Sequence, residues 1–137
     1  MMIQFFNEDI NFHLLHKQEV KKWLSKVADT EGRRVGGLSI IFCSDERLLQ
    51  MNRQYLQHDY CTDIITFDYT EGRVVSGDLF ISIDTVRANA EAYSQTFDRE
   101  LRRVMVHGLL HLCGYDDTKP RQQKIMRAAE DMYLAMC

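Results

Sequence analysis

Apolar positions recur along the chain at two different spacings, and the change from one to the other marks its elements. Met2-Ile3-Gln4-Phe5-Phe6 is short and apolar, which predicts a first strand, followed by a loop holding Asn7, Glu8, Asp9 and Asn11. From Lys17 to Ala28, Val20, Trp23, Leu24 and Val27 fall at the i, i+3, i+4, i+7 spacing of one buried helix face. Gly32, Gly36 and Gly37 predict a break, and Leu38 to Phe42 a second strand. Ser44 is placed to cap a helix that ends near Tyr55, with Asp45 and Glu46 in the first turn, where the helix dipole favours negative charge.

Beyond a polar loop over residues 57–62, Ile64 to Phe67 and Gly77 to Ile83 read as two strands joined through a Glu71-Gly72 turn, which predicts an antiparallel pair. Asp84 is expected to cap a helix reaching about Tyr93. Thr96 is expected to cap the next, from Phe97 to about Cys113, with Asp98 and Glu100 in its first turn and Gly114 as its stop. A last helix starts near Pro120, a residue tolerated in a first turn. Strands gathered early and helices late predict an α+β fold. In it a small mixed β-sheet is covered by helices, and the penultimate helix, the most apolar, is central.

Composition narrows the function classes. At 137 residues, with 45% hydrophobic and 27% charged residues, the chain reads as one globular domain spanning residues 1–137, without repeats or long linkers. A net charge of −3 provides no global positive field for a polyanion, so any nucleic-acid contact has to be a local patch. No window approaches the roughly 18 apolar residues of a membrane span, and Glu8 and Asp9 sit where a signal peptide is basic and then apolar. A cytoplasmic location with no membrane partner is expected. Cys43, Cys61, Cys113 and Cys137 form no C-x-x-C pair and are expected to be reduced, partly buried thiols.

The stretch from His107 to Asp117 carries the chemistry. His107 and His111, four apart on a helix, project from one face, close enough for both imidazoles to bind one metal ion. Gly114 lets the chain turn sharply, and Asp117 follows where a third ligand swings back; Asp116 is the alternative if the turn is displaced by one residue. Three protein ligands leave a fourth position for water, whose pKa falls to about 7 on a catalytic zinc. The spacing also matches the zinc-protease motif H-E-x-x-H-x-x-G-x-x-H, but the general-base Glu of that motif is Gly108 here, which cannot take a proton. A small residue at 108 is also expected to leave room beside the metal.

These residues resemble the signature H-G-x-L-H-L-x-G-Y-D-H of the YbeY family of bacterial metal-dependent endoribonucleases, which act in ribosomal RNA maturation. Every fixed position matches except the last, where the family's histidine is Asp117. The likeness extends upstream. Met51 to Phe67 is similar to the family's L-N-x-x-Y-R-x-x-D-x-P-T-D-V-L-S-F block, and Gly77 to Ser82 to its G-D-I-x-I-S strand. The resemblance implies one divalent metal ion, zinc by default, held by His107, His111 and Asp117. A carboxylate in place of imidazole shifts preference towards iron or manganese. The family's Arg facing the substrate is Leu56 here; Arg53, one helical turn earlier on the same side, is the candidate to replace it.

From Phe97 to Arg127 seven basic residues stand against four acidic ones, a local excess of three in a chain whose net charge is −3. Arg102, Arg103 and Arg121, with Arg53, are the candidate phosphate contacts, and Tyr60, Phe67 and Tyr115 the candidate base-stacking rings; solvated helix faces and core packing are the alternatives. The expected function is metal-dependent endonucleolytic cleavage of single-stranded ribosomal RNA in ribosome biogenesis and quality control. Ribosomal RNA and ribosomal-subunit or assembly proteins are the partners the resemblance implies. Asp59 and Asp63 are the weak candidates for a general base. The rivals are a hydrolase of another substrate such as peptide, which Gly108 argues against, and an assembly factor that binds RNA without cutting it.

Overall fold

A computed structural model describes residues 2–56 and 62–137. Among the described residues nine elements follow one another as β1 (Met2–Asn7), α1 (Lys17–Thr30), β2 (Arg34–Cys43), α2 (Asp45–Tyr55), β3 (Ile64–Asp68), β4 (Val74–Ser82), α3 (Ile83–Ala92), α4 (Phe97–Leu112) and α5 (Pro120–Leu134). The four strands form one sheet in the order β1-β2-β4-β3. β1 and β4 run parallel to β2, and β3 is antiparallel to β4. The fold is therefore α+β, a small mixed sheet covered by helices. No helix among the described residues is long and apolar enough to cross a membrane.

Alternation along the strands decides where the core sits. Leu38, Ile40 and Phe42 of β2 and Leu79 and Ile81 of β4 point to one face, where they pack with Val20, Trp23, Leu24 and Val27 of α1. α4 packs into the same core and is the most buried helix, with nine of its sixteen residues buried, as its apolar run predicts. On the opposite face Cys43 and Ile65 pack with Leu48 and Met51 of α2 in a separate, smaller cluster.

Three local expectations change. β2 begins at Arg34, so Gly36 and Gly37 lie inside a strand instead of breaking the chain. A Cβ on Gly36 would lie 2.6 Å from Val74 Cγ1 and 2.7 Å from Ser76 Oγ, and the pairing register shifts between Val35 and Leu38. The glycines thus permit a bulge and a close approach to β4, which itself begins at Val74, ahead of Gly77. Finally, Ser82 caps α3, accepting from the Thr85 N–H at 3.2 Å, while Asp84 instead accepts from the Asp45 N–H at 3.0 Å. Asp45 in turn accepts from the Ser82 and Thr85 hydroxyls, which ties the starts of α2 and α3 together. The expected caps Ser44 and Thr96 do accept from the N–H groups of Arg47 and Arg99.

Gly77 holds β3, β4 and α4 together. A Cβ there would lie 2.5 Å from the Phe67 carbonyl oxygen, which is backbone, and 3.0 Å from Leu112 Cδ2. Gly77→Ala is expected to destabilise the protein by about 3 kcal/mol, the upper part of the overpacking range, because a ladder carbonyl cannot rotate aside as a side chain can. Denaturant unfolding measures this, and a loss below about 0.5 kcal/mol contradicts the packing account.

Candidate metal centre

His107 and His111 lie one turn apart on α4 with ring centroids 4.6 Å apart and their Nε2 atoms at 3.0 Å. After the helix, Gly114 takes φ 102°, in the left-handed region where a Cβ is disfavoured, and the chain doubles back. Asp117 then places Oδ2 at 3.3 Å from His107 Nε2 and 3.4 Å from His111 Nε2. One ligand atom from each of the three lies within 4.8 Å of the others. Asp116 plays a different part: its Oδ1 accepts from the N–H groups of Asp117, at 2.7 Å, and Thr118, at 3.3 Å, which closes the turn. Gln123 of α5 donates to the Asp117 carbonyl at 3.0 Å and holds the loop from the other side.

The protons on the two imidazoles follow from their outer partners. His111 Nδ1 faces the Tyr115 carbonyl at 3.0 Å, and since a carbonyl only accepts, Nδ1 donates. His107 Nδ1 lies 2.6 Å from Glu130 Oε2 and donates to that carboxylate. Both Nε2 atoms are then left with lone pairs directed at each other and at the Asp117 carboxylate. Three acceptors meet with no donor among them, an arrangement stable only around positive charge. A proton on one ring relieves part of it; a divalent cation satisfies all three at once, and the outer hydrogen bonds orient both rings for that role.

Electrostatics agree. Burial works to lower the pKa of His107, but the hydrogen bond and charge of Glu130, with Asp117 and Asp63 nearby, outweigh it and the pKa is raised. Burial works to raise that of Glu130, yet hydrogen bonds from His107 and Arg103 hold it below the ordinary carboxylate value. Arg103 completes the tie, donating to Glu130 at 2.9 Å and to Asp131 at 2.7 Å.

An open cleft of about 560 Å³ leads to the three groups, lined also by Asn52, Leu56, Thr62 and Asp63. Burial raises the carboxyl of Asp63 above its ordinary value, with the His107 charge opposing. Of the candidate general bases Asp63 lines this cleft, whereas Asp59, like the candidate stacking ring Tyr60, lies outside the described residues. Gly108 does not open space at the metal centre as expected. A Cβ on it would meet Ile64 Cδ1 at 2.8 Å and Leu79 Cδ1 at 2.9 Å, so its smallness serves close packing of α4 on the sheet.

The four candidate phosphate contacts are dispersed. Leu56 lines the cleft; Arg53 is exposed in the last turn of α2. The Arg102 guanidinium lies 5.7 Å from the Trp23 ring centroid, on the α1 side of α4. Arg103, with a side chain only 12% exposed, is engaged by Glu130 and Asp131. Arg121 is exposed in the first turn of α5. Tyr115 gives its hydroxyl to Glu31, as does Tyr133, so this ring braces the loop whose carbonyl orients His111. Sequence reasoning missed Glu130 and Glu31. For Glu130 a signal existed, since Met126, Glu130 and Tyr133 are at i, i+4, i+7, a carboxylate on an otherwise apolar stripe.

Comparison with known proteins settles the family, because the family model described as Endoribonuclease YbeY matches residues 2–137. The chain belongs to the YbeY family. A relative named Endoribonuclease YbeY from Phocaeicola vulgatus is 55% identical over 135 residues, covering 98% of both chains. One of the same name from Parabacteroides distasonis is 53% identical over 136 residues, covering 99% of this chain and 96% of its own. A solution structure of a Thermotoga maritima protein superposes with a TM-score of 0.70 at 29% identity, covering 97% of this chain and 87% of its own. Within this YbeY chain, Asp117 occupies the third place of the His-His-Asp group, in keeping with its position in the motif.

Proposed function

We propose that the protein is a metal-dependent endoribonuclease of single-stranded RNA that acts in ribosomal RNA processing and ribosome quality control in the cytoplasm. The observation that carries the reading is the convergence of His107, His111 and Asp117, three acceptors without a donor, at the floor of an open cleft in a chain of an endoribonuclease family. His107, His111 and Asp117 hold the ion, and zinc is the expected one. When bound, a divalent ion supplies Lewis acidity that offsets charge on the phosphate and makes water acidic enough to ionise near neutral pH.

The protein's own groups do the rest. Glu130 and the Tyr115 carbonyl keep both imidazoles in the Nδ1–H tautomer, so that Nε2 is the ligating atom. Asp63, in the cleft wall, would serve as the proton acceptor for a water in the cleft. Arg121 and Arg53, both exposed, offer the phosphate contacts to a strand entering the cleft. Ribosomal RNA within a ribosomal subunit, with its assembly proteins, is the proposed partner.

The test is elemental analysis of protein purified without chelator or affinity nickel, together with cleavage of single-stranded RNA before and after chelation. About one equivalent of metal, with cleavage lost on chelation and restored by the same ion, is expected. A protein that cannot be loaded with metal, or a loaded protein that binds RNA and leaves it intact, overturns the reading in favour of a non-cleaving assembly factor. Cleavage of casein in place of RNA overturns it in favour of a peptide hydrolase.

A further inference from the structure

A second cleft, of about 300 Å³, adjoins the first and shares Asp63, His107 and Asp117 with it. A polymer lying across the metal centre therefore meets both. The outer wall of this cleft comes from Asn89 of α3, Tyr93 just beyond that helix, Glu100 of α4 and Arg127 of α5. None of these residues has a part in holding the metal ligands.

Glu100 is the group that needs an explanation. It lies in the first turn of α4, where a carboxylate serves the helix dipole from the solvent side, yet it is only 6% exposed. Among the described residues its carboxylate accepts no hydrogen bond, although no fully enclosed side-chain polar atom in that set lacks a partner. Its oxygens therefore open on the cleft. Arg103 is engaged by Glu130 and Asp131, so its charge acts on Glu100 only at longer range. Burial accordingly raises the Glu100 carboxyl above its ordinary value, the mark of an acceptor that lacks donors.

The surroundings restrict what can supply those donors. Asp117 belongs to the metal centre and Glu130 is paired with His107 and Arg103, which leaves Glu100 as the acceptor without a donor in this lining, so its wall attracts N–H groups. Its volume is at the small end of ligand clefts, which start at about 300 Å³, and fits one planar ring system. Tyr93, 63% exposed at the rim, presents a ring on which such a group can stack.

We propose that this cleft is a base-recognition subsite for a nucleotide adjoining the scissile phosphate, in which Glu100 accepts the N1–H and N2–H groups of a guanine; the proposal rests on the endoribonuclease reading. A carboxylate presents two acceptors side by side, and guanine alone among the four bases presents two adjacent N–H donors on its pairing edge. Adenine and cytosine set an acceptor nitrogen beside one amino group, and uracil sets one N–H between two carbonyls. Each of those places a lone pair against a Glu100 oxygen, so the site selects by repulsion as well as by fit.

The test uses metal-loaded full-length protein and four single-stranded RNAs that differ only in the nucleotide next to one fixed cleavage site, repeated for each flank. The parent protein is expected to cut the guanine RNA at least about fivefold faster than the others on one flank, the lower end of a bidentate contact. Glu100→Gln, which keeps the shape but turns one acceptor into a donor, is expected to lose that preference while its metal content and melting temperature stay those of the parent. Equal rates on all four bases in the parent overturn the subsite whatever the variant does, as does a guanine preference that survives in the variant. In both cases the endoribonuclease reading stands. Failure of the loaded parent to cut any of the RNAs overturns that reading and the subsite with it.

Discussion

His111→Ala is expected to release the bound metal and to lower RNA cleavage by well over a hundredfold. Groups that merely orient a metal ligand are worth about 10-fold to 100-fold in affinity or activity, and His111 is itself one of the three proposed ligands found among the described residues. The fold is expected to survive. His111 is half-buried on the cleft side of α4, alanine is the best helix former, and the variant removes one of three lone-pair groups that face each other. Against that, the Tyr115 carbonyl loses its donor, a change of about 1 kcal/mol at a place water can reach. The metal-free variant should therefore match the metal-free parent in stability to within about 1 kcal/mol. The metal-loaded parent should be more stable than both, because a ligand that binds only the folded state shifts unfolding by mass action. Elemental analysis, RNA cleavage and denaturant unfolding measure the three. A variant that keeps one equivalent of metal, or that cleaves at a tenth of the parental rate or better, removes His111 from the metal centre.

The ligand group was legible in the sequence because it is local. Two histidines four apart, a glycine able to take positive φ and an aspartate just beyond it fix one another's placement through helix and turn geometry alone. The same geometry left Asp116 and Asp117 as alternatives, and the choice falls to hydrogen bonds within the turn, which occupy Asp116 Oδ1. Capping by Ser44 and Thr96 was legible for the same local reason, whereas the cap of α3 was not. Ser82 and Asp84 are both capping residue types, and the contest is settled by Asp45, thirty-nine residues from Asp84, which engages both. The start of β2 was hidden because glycines lower strand propensity, while pairing with β4 outweighs that propensity in the folded chain. Counting charge along α4 could not show that Arg102 and Arg103 serve different neighbours. Successive helical side chains diverge by about 100°, which sends one to Trp23 and the other to α5.

Glu130 is the residue through which the metal centre and the stability of the fold are coupled, and Glu130→Gln is expected to reveal this in both. Its side chain is 5% exposed, and it accepts from His107 and from Arg103, whose side chain is 12% exposed. Breaking a buried ion pair by removing one partner costs about 3–5 kcal/mol, and the lower end applies because Arg103 keeps Asp131. Metal affinity should fall about 10-fold to 100-fold, since His107 loses the carboxylate that orients it and makes it more basic. The dependence on pH distinguishes this account from simple loss of packing. Glu130 has a lowered pKa in the folded protein, so its stabilisation is present above the ordinary value of 4.5 and is lost as pH falls through the lower folded value. His107 has a raised one, so its contribution is complete below the ordinary value of 6.5 and is lost as pH rises through the higher folded value. In metal-free protein the stability gap between parent and Glu130→Gln should then be widest between about pH 4.5 and pH 6.5 and narrow on both sides. Denaturant unfolding across that range measures it. A gap that stays constant with pH shows that Glu130 acts by shape alone, in which case the metal affinity of the variant should also be unchanged.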